Sequence, residues 1–86
     1  MPRIEFHPTA QKELLKIPKK FRLQIIKRIE ELERLNHPLQ HPKVRKLRNG
    51  KFEQFRLRSG NYRIKFILAN SHTIKIAHVQ HRQVGY

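Results

Sequence analysis

FRLRSGNYRIKF, residues 55–66, carries the clearest structural pattern in the chain. Phe55 and Leu57 alternate with Gln54, Arg56 and Arg58. After Ser59-Gly60-Asn61, Tyr62, Ile64 and Phe66 alternate with Arg63 and Lys65. Period-two alternation on both sides of a Gly-Asn turn is the signature of a β-hairpin. One face of that hairpin is apolar and asks for a cover. The other collects Gln54, Arg56, Arg58, Arg63 and Lys65.

The cover lies upstream. Ala10, Leu14 and Ile17 recur at helical spacing after His7-Pro8-Thr9, and proline suits the first helical position because its missing N–H would be unpaired there. Pro18 ends that helix. A second helix is expected over 19–36, with Phe21, Ile25, Ile29 and Leu32 as its core stripe and a Glu30–Arg34 pair on its exposed side. RIEF (3–6) reads as a first strand. NHPLQHPK (36–43) reads as a loop, with its histidines short of the partners a metal site needs. Strands are expected over 51–58, 61–68 and 72–82, the last with a bulge near Ala77 and His78. The resulting class is α+β in the order β-α-α-β-β-β, a helical hairpin on one face of a small antiparallel sheet. Residues 1–86 form a single domain.

Charge limits the partners. The chain carries 20 Lys and Arg against 6 acids, a formal +14, and its acids are all glutamate. Residues 37–86 hold eleven of the cations and only Glu53 as an acid. Like charges on neighbouring strands repel, so such a face is expected to meet a polyanion. Without cysteine there are no disulfides or thiolate metal sites, which fits a reducing, cytoplasmic setting. No apolar run reaches the roughly 18 residues of a membrane span, and no signal-peptide core is visible, so no membrane partner is expected. A Ser-His-Asp triad is excluded for want of aspartate, and no glycine-rich phosphate loop or paired-carboxylate site occurs.

What remains is an Arg/Lys-rich sheet face that ends in His81, Arg82 and Tyr86. That set suits cleavage of RNA by its own 2′-hydroxyl, which needs no metal or cofactor. The oxygen must be held in line with phosphorus, guanidinium groups must stabilise the added charge, and a group such as His81 must protonate the leaving 5′-oxygen. Tyr86 can donate a hydrogen bond or stack on a base.

The element order, KLRNG (46–50), FRLRSGNYRI (55–64) and HVQHRQVGY (78–86) together resemble the RelE/ParE family of type II toxins over nearly the whole chain. The resemblance implies the RelE-like microbial RNase fold, a cognate antitoxin as partner, and a toxin–antitoxin complex that binds promoter DNA through the antitoxin. RelE-like members cut mRNA in the ribosomal A site, whereas ParE-like members poison DNA gyrase. Arg63 matches the family's phosphate-binding arginine, Arg82 its second catalytic arginine and Tyr86 its C-terminal tyrosine. Arg56 falls where a lysine is frequent. Gln54 departs from the family by replacing a further lysine, and two residues are missing before Tyr86. The reading expected from all this is a ribosome-dependent mRNA endonuclease. Arg63, Arg82, His81, Tyr86 and Arg56 are its catalytic candidates. Lys43, Arg45, Lys46, Arg48, Gln54, Arg58 and Lys65 are its contacts to mRNA or rRNA. A gyrase-binding toxin and an inactive nucleic-acid-binding homologue are the alternatives.

Overall fold

A computed structural model describes residues 2–47, 53–70 and 72–83. The hairpin forms as expected: β3 (Gln54–Ser59) pairs antiparallel with β4 (Tyr62–Asn70), Ser59 opposite Tyr62. Gly60 has φ +58° and is the one described residue with positive φ. Positive φ at the first of two loop residues is the type II′ pattern, which suits the right-handed twist of the strands. A Cβ at Gly60 would meet nothing within 4 Å, so the cost of a side chain there is backbone strain alone. Gly60→Ala is therefore expected to cost about 1 kcal/mol, a fall in Tm of roughly 4–8 °C. Unchanged thermal unfolding would contradict this account of the turn.

Helix α1 (Pro8–Lys16) and helix α2 (Lys19–Glu33) are separated at Pro18, as expected. They cover the apolar face, α1 over β5 (Thr73–His81) and α2 over β3. Ile25, Ile29 and Leu32 from α2 pack with Phe55, Leu57, Ile64, Phe66, Ile74, Ile76 and Val79 from the sheet, all buried. The rings of Phe55 and Phe66 stack at 5.3 Å. Two helical expectations change. Phe21 is 40% exposed and leans on Tyr62 at 5.8 Å, because the first turn of α2 overhangs the end of the hairpin rather than its centre. Helix α2 stops at Glu33, short of Asn36, and its ion pair is Arg28–Glu31 rather than Glu30–Arg34 among the described residues.

The sheet is larger than the sequence indicates. A short strand β2 (Val44–Lys46) adds to β3 at one edge, and β1 (Arg3–Phe6) joins β5 in parallel at the other. The order is β1-β5-β4-β3-β2, a mixed five-stranded sheet rather than a purely antiparallel one. The long connection from β1 to β5, which includes both helices and the strands β2 to β4, permits the parallel pairing. The bulge expected near Ala77 is present: Phe66 faces Ile76, Lys65 faces His78, and Ala77 is the extra residue. Glu13 reaches across from α1 to accept the Val79 N–H at 3.0 Å and to meet His78 Nδ1 at 3.3 Å, which anchors β5 where β1 has ended.

Histidine replaces aspartate as the local cap. His7, His37, His41 and His81 each use Nδ1 to accept the backbone N–H two residues on, at 3.1–3.2 Å. Three of them precede proline, in His7-Pro8, His37-Pro38 and His41-Pro42. Only an unprotonated Nδ1 accepts, so each neutral ring carries its proton on Nε2.

Candidate functional site

The polar face of the sheet is ordered by register. Arg45 lies opposite Arg56, Arg56 opposite Lys65, and Lys65 opposite His78. The next row holds Arg58, Arg63 and Gln80. Gln54 sits exposed beside Ile67 on the same face, and Ile67 faces Lys75, a cation the sequence reading did not single out. Lys43 joins through the backbone, its carbonyl accepting the Arg58 N–H at 3.1 Å.

Arg56 is the centre of this array. It is half-buried, and its Nε is enclosed without a hydrogen-bond partner among the described residues. Burial lowers its pKa from the usual arginine value, and the charges of Arg58, Arg63 and Arg45 lower it further. A guanidinium donor that is out of water and unpaired is unfavourable by itself. An anion seated on it would supply both the missing acceptor and the missing charge. Pro42, Lys43, Arg45, Arg56 and Arg58 line a cleft of about 310 Å³ there, with no acidic residue in its wall among the described residues.

Not every expected residue reaches this cleft. Lys46 faces Phe55 in register, on the helix side of the sheet, and pairs with Glu53 at 3.4 Å. Part of the basic run expected to contact RNA is thus an edge strand, and its cations Arg45 and Lys46 divide between two faces. His81 also lies on the helix side: it faces Tyr62, and the rings meet edge-on at 5.3 Å. Tyr62 is half-buried and packs against the core, as expected. Arg82 follows in an exposed turn, its N–H donating to the Asn61 carbonyl at 2.7 Å, which ties it to the hairpin loop. Arg48 and Tyr86 lie outside the described residues.

Sequence reading passed over one buried group. His41 is 6% exposed. Its Nε2 donates to Glu31 Oε1 at 2.8 Å, while its Nδ1 accepts the Lys43 N–H at 3.1 Å. Arg28 lies 3.3 Å from both Glu31 oxygens. The His41 contact is the main reason that Glu31 titrates below the usual carboxylate range. The thrice-repeated His-Pro pair was the available signal. No group of three or more His, Cys, Asp or Glu side chains placed to hold a metal occurs among the described residues, and no helix is long and apolar enough to cross a membrane.

No curated protein matches the chain by sequence. Solved structures do match its fold. The archaeal RelE in the RelE–RelB complex of Pyrococcus horikoshii OT3 is 25% identical, with a TM-score of 0.78 over 98% of each chain. The RelB–RelE antitoxin–toxin complex of Methanococcus jannaschii contains a chain 30% identical, with a TM-score of 0.75 over 92% of this chain and 91% of that one. The toxin–antitoxin complex RelBE2 of Mycobacterium tuberculosis gives 28% identity and a TM-score of 0.76, over 95% and 100% of the two chains. Residues 4–86 match the family described as the ParE toxin of type II toxin–antitoxin systems, parDE. The sheet, its helical cover and a sequence match over nearly the whole chain agree: this protein belongs to the RelE/ParE family and is a toxin of the type II toxin–antitoxin class.

Proposed function

We propose that this toxin is a metal-independent endoribonuclease that cuts mRNA in the ribosomal A site and so inhibits translation in the cytoplasm. The observation that carries the reading is Arg56, whose enclosed Nε lacks a partner at the centre of a cationic cleft. A scissile phosphate supplies what that site is missing, and an additional negative charge on the phosphoryl oxygens in the transition state is bound more tightly still.

The 2′-oxygen attacks phosphorus in line and gives up its proton to water. The P–O5′ bond breaks, and the 5′-oxygen takes a proton as it leaves. The products are a 2′,3′-cyclic phosphate and a 5′-hydroxyl. Arg56 and Arg63 hold the phosphoryl oxygens, with Arg82 approaching from the hairpin loop. Tyr86 is the candidate proton donor, because His81 faces Tyr62 on the helix side of the sheet, away from Arg56 and Arg63. Lys43, Arg45, Arg58 and Lys65 position the RNA backbone without reading its sequence.

A cognate antitoxin is the expected protein partner, since the similar RelE chains come from RelB complexes. Leu15 and Leu23 are 70% and 56% exposed on the two helices, and they offer an amphipathic segment its apolar contacts. Favourable charge would speed that association. The complex would reach promoter DNA through the antitoxin.

A second reading, a gyrase-binding toxin, is favoured by two observations. The family description is that of ParE, and His81 lies on the opposite side of the sheet from Arg56 and Arg63. Purified toxin added to a translation reaction, followed by mapping of mRNA 5′ ends, decides between them. Expected are cuts within A-site codons that need ribosomes and vanish with Arg63→Ala. An absence of cuts, with cleaved plasmid trapped on gyrase, would overturn the nuclease.

A further inference from the structure

We infer that the RNA-binding surface does not end at the cleft but turns around the β2–β3 edge into a second phosphate-binding groove, against α2. The groove has a volume of about 400 Å³ and is lined by Gln24, Lys27 and Arg28 of α2, by Lys43, and by Ser59 and Gly60 at the end of β3. It takes the sugar–phosphate backbone of the strand whose neighbouring phosphate occupies the cleft. This rests on the reading of the cleft as an RNA site.

Three observations carry it. The first is continuity: Lys43 lines both the groove and the cleft. The second is that the Arg28 side chain and the Lys43 backbone are held in place. Arg28 is fixed by Glu31, Glu31 by His41, and His41 by the Lys43 N–H, while the Lys43 carbonyl holds the Arg58 N–H. One connected set of hydrogen bonds therefore runs from a groove cation to a cleft strand. Glu31, the carboxylate within this set, has both oxygens engaged, and no acidic side chain among the described residues lines the groove. The third is chemical character. The walls offer amide, hydroxyl, ammonium and guanidinium groups, together with the open backbone of Gly60. None of the exposed large apolar side chains Leu15, Phe21, Leu23 and Leu39 lines it. An amphipathic protein segment needs apolar anchors, whereas a phosphate backbone needs cations and hydrogen-bond donors.

The test measures binding of non-cleavable, 2′-O-methyl single-stranded RNA of about 4 and about 12 nucleotides, by fluorescence anisotropy over a salt series. Lys27→Ala replaces an exposed helical residue with the best helix former, so the fold is retained. Lys16→Ala, at the end of α1, matches it in charge. Expected is a several-fold loss for the long RNA with Lys27→Ala, together with a fall of about 0.7 in the slope of log K against log salt. The short RNA, which fills only the cleft, keeps its affinity, and Lys16→Ala changes neither. If Lys27→Ala and Lys16→Ala behave alike on the long RNA while Arg56→Met weakens both lengths, the groove is wrong and the cleft stands. If wild-type protein binds neither RNA, the cleft reading falls with it. If Lys27→Ala weakens an acidic amphipathic peptide but not RNA, the groove belongs to a protein partner and the inference is overturned.

Discussion

Arg56→Met is expected to lose about 100–1000-fold in RNA cleavage rate and, in the same protein, to gain thermal stability. The two effects share one cause. Arg56 holds its Nε out of water with no acceptor, among Arg45, Arg58 and Arg63. Burial and three like charges each disfavour the charged form. Methionine keeps most of the unbranched stem that covers the sheet and removes the charge. The relief of cross-strand repulsion is on the order of 1 kcal/mol, a rise of roughly 4–8 °C in Tm. No pH window applies to this gain. A cation whose folded pKa is depressed carries its penalty at every pH below that pKa, which for arginine is the whole working range.

Anions provide an independent check on the same site. A ligand that binds only the native state stabilises it by RT ln(1 + [L]/Kd). Inorganic phosphate is therefore expected to raise the Tm of the wild type more than that of Arg56→Met, at matched ionic strength. The matching matters because salt alone screens the repulsion. Equal phosphate shifts in both proteins, or an Arg56→Met protein less stable than the wild type, would show that Arg56 is an ordinary strand cation. Its place at the centre of the mechanism would then be lost.

The residues that were legible in the sequence are those whose neighbours lie close along the chain. The 55–66 hairpin declares itself because alternation and turn are both local, and the alternation already separates Arg56, Arg58, Arg63 and Lys65 from the core. Strand β2 is different. Val44 is the one apolar residue of Val44–Lys46, so no apolar alternation exists to be seen, and pairing with β3 makes the strand. The parallel partner of RIEF is likewise set by packing across the sheet. His81 shows how one residue decides a face. Counted without interruption from Ile74 and Ile76, it would share the face of Lys75. The extra residue at Ala77 shifts the count by one, Val79 turns into the core opposite Ile64, and His81 follows to the side of Tyr62. A bulge can be expected from sequence, but its position must be known to the residue before a catalytic face can be assigned.

His41→Ala is expected to be the most destabilising change outside the apolar core. The loss combines a 2.8 Å hydrogen bond to an ionised carboxylate, a cap on the Lys43 N–H and a void where a 6%-exposed ring stood. A hydrogen bond to a charged group contributes about 1.5–3 kcal/mol, so a fall in Tm of roughly 10–20 °C is expected for a domain of this size. His41→Asn separates the two roles. Its side-chain oxygen can still accept the Lys43 N–H in the turn, but its amide is too short to keep the contact with Glu31. It should recover part of the lost stability, and RNA affinity should recover with the Lys43 turn. The pH dependence follows from Glu31, whose pKa is depressed below 4.5, chiefly by His41 and then by Arg28, against an opposing effect of burial. A depressed carboxylate stabilises the fold above its unfolded pKa and loses that contribution as pH falls through the folded value. Urea midpoints of the wild type should therefore drop more steeply below about pH 4.5 than those of Glu31→Gln, which lacks the titrating group. Parallel acid limbs in the two proteins would mean that the Arg28–Glu31–His41 connection does not hold the Lys43 edge. The groove and the cleft would then have to be positioned by the sheet alone.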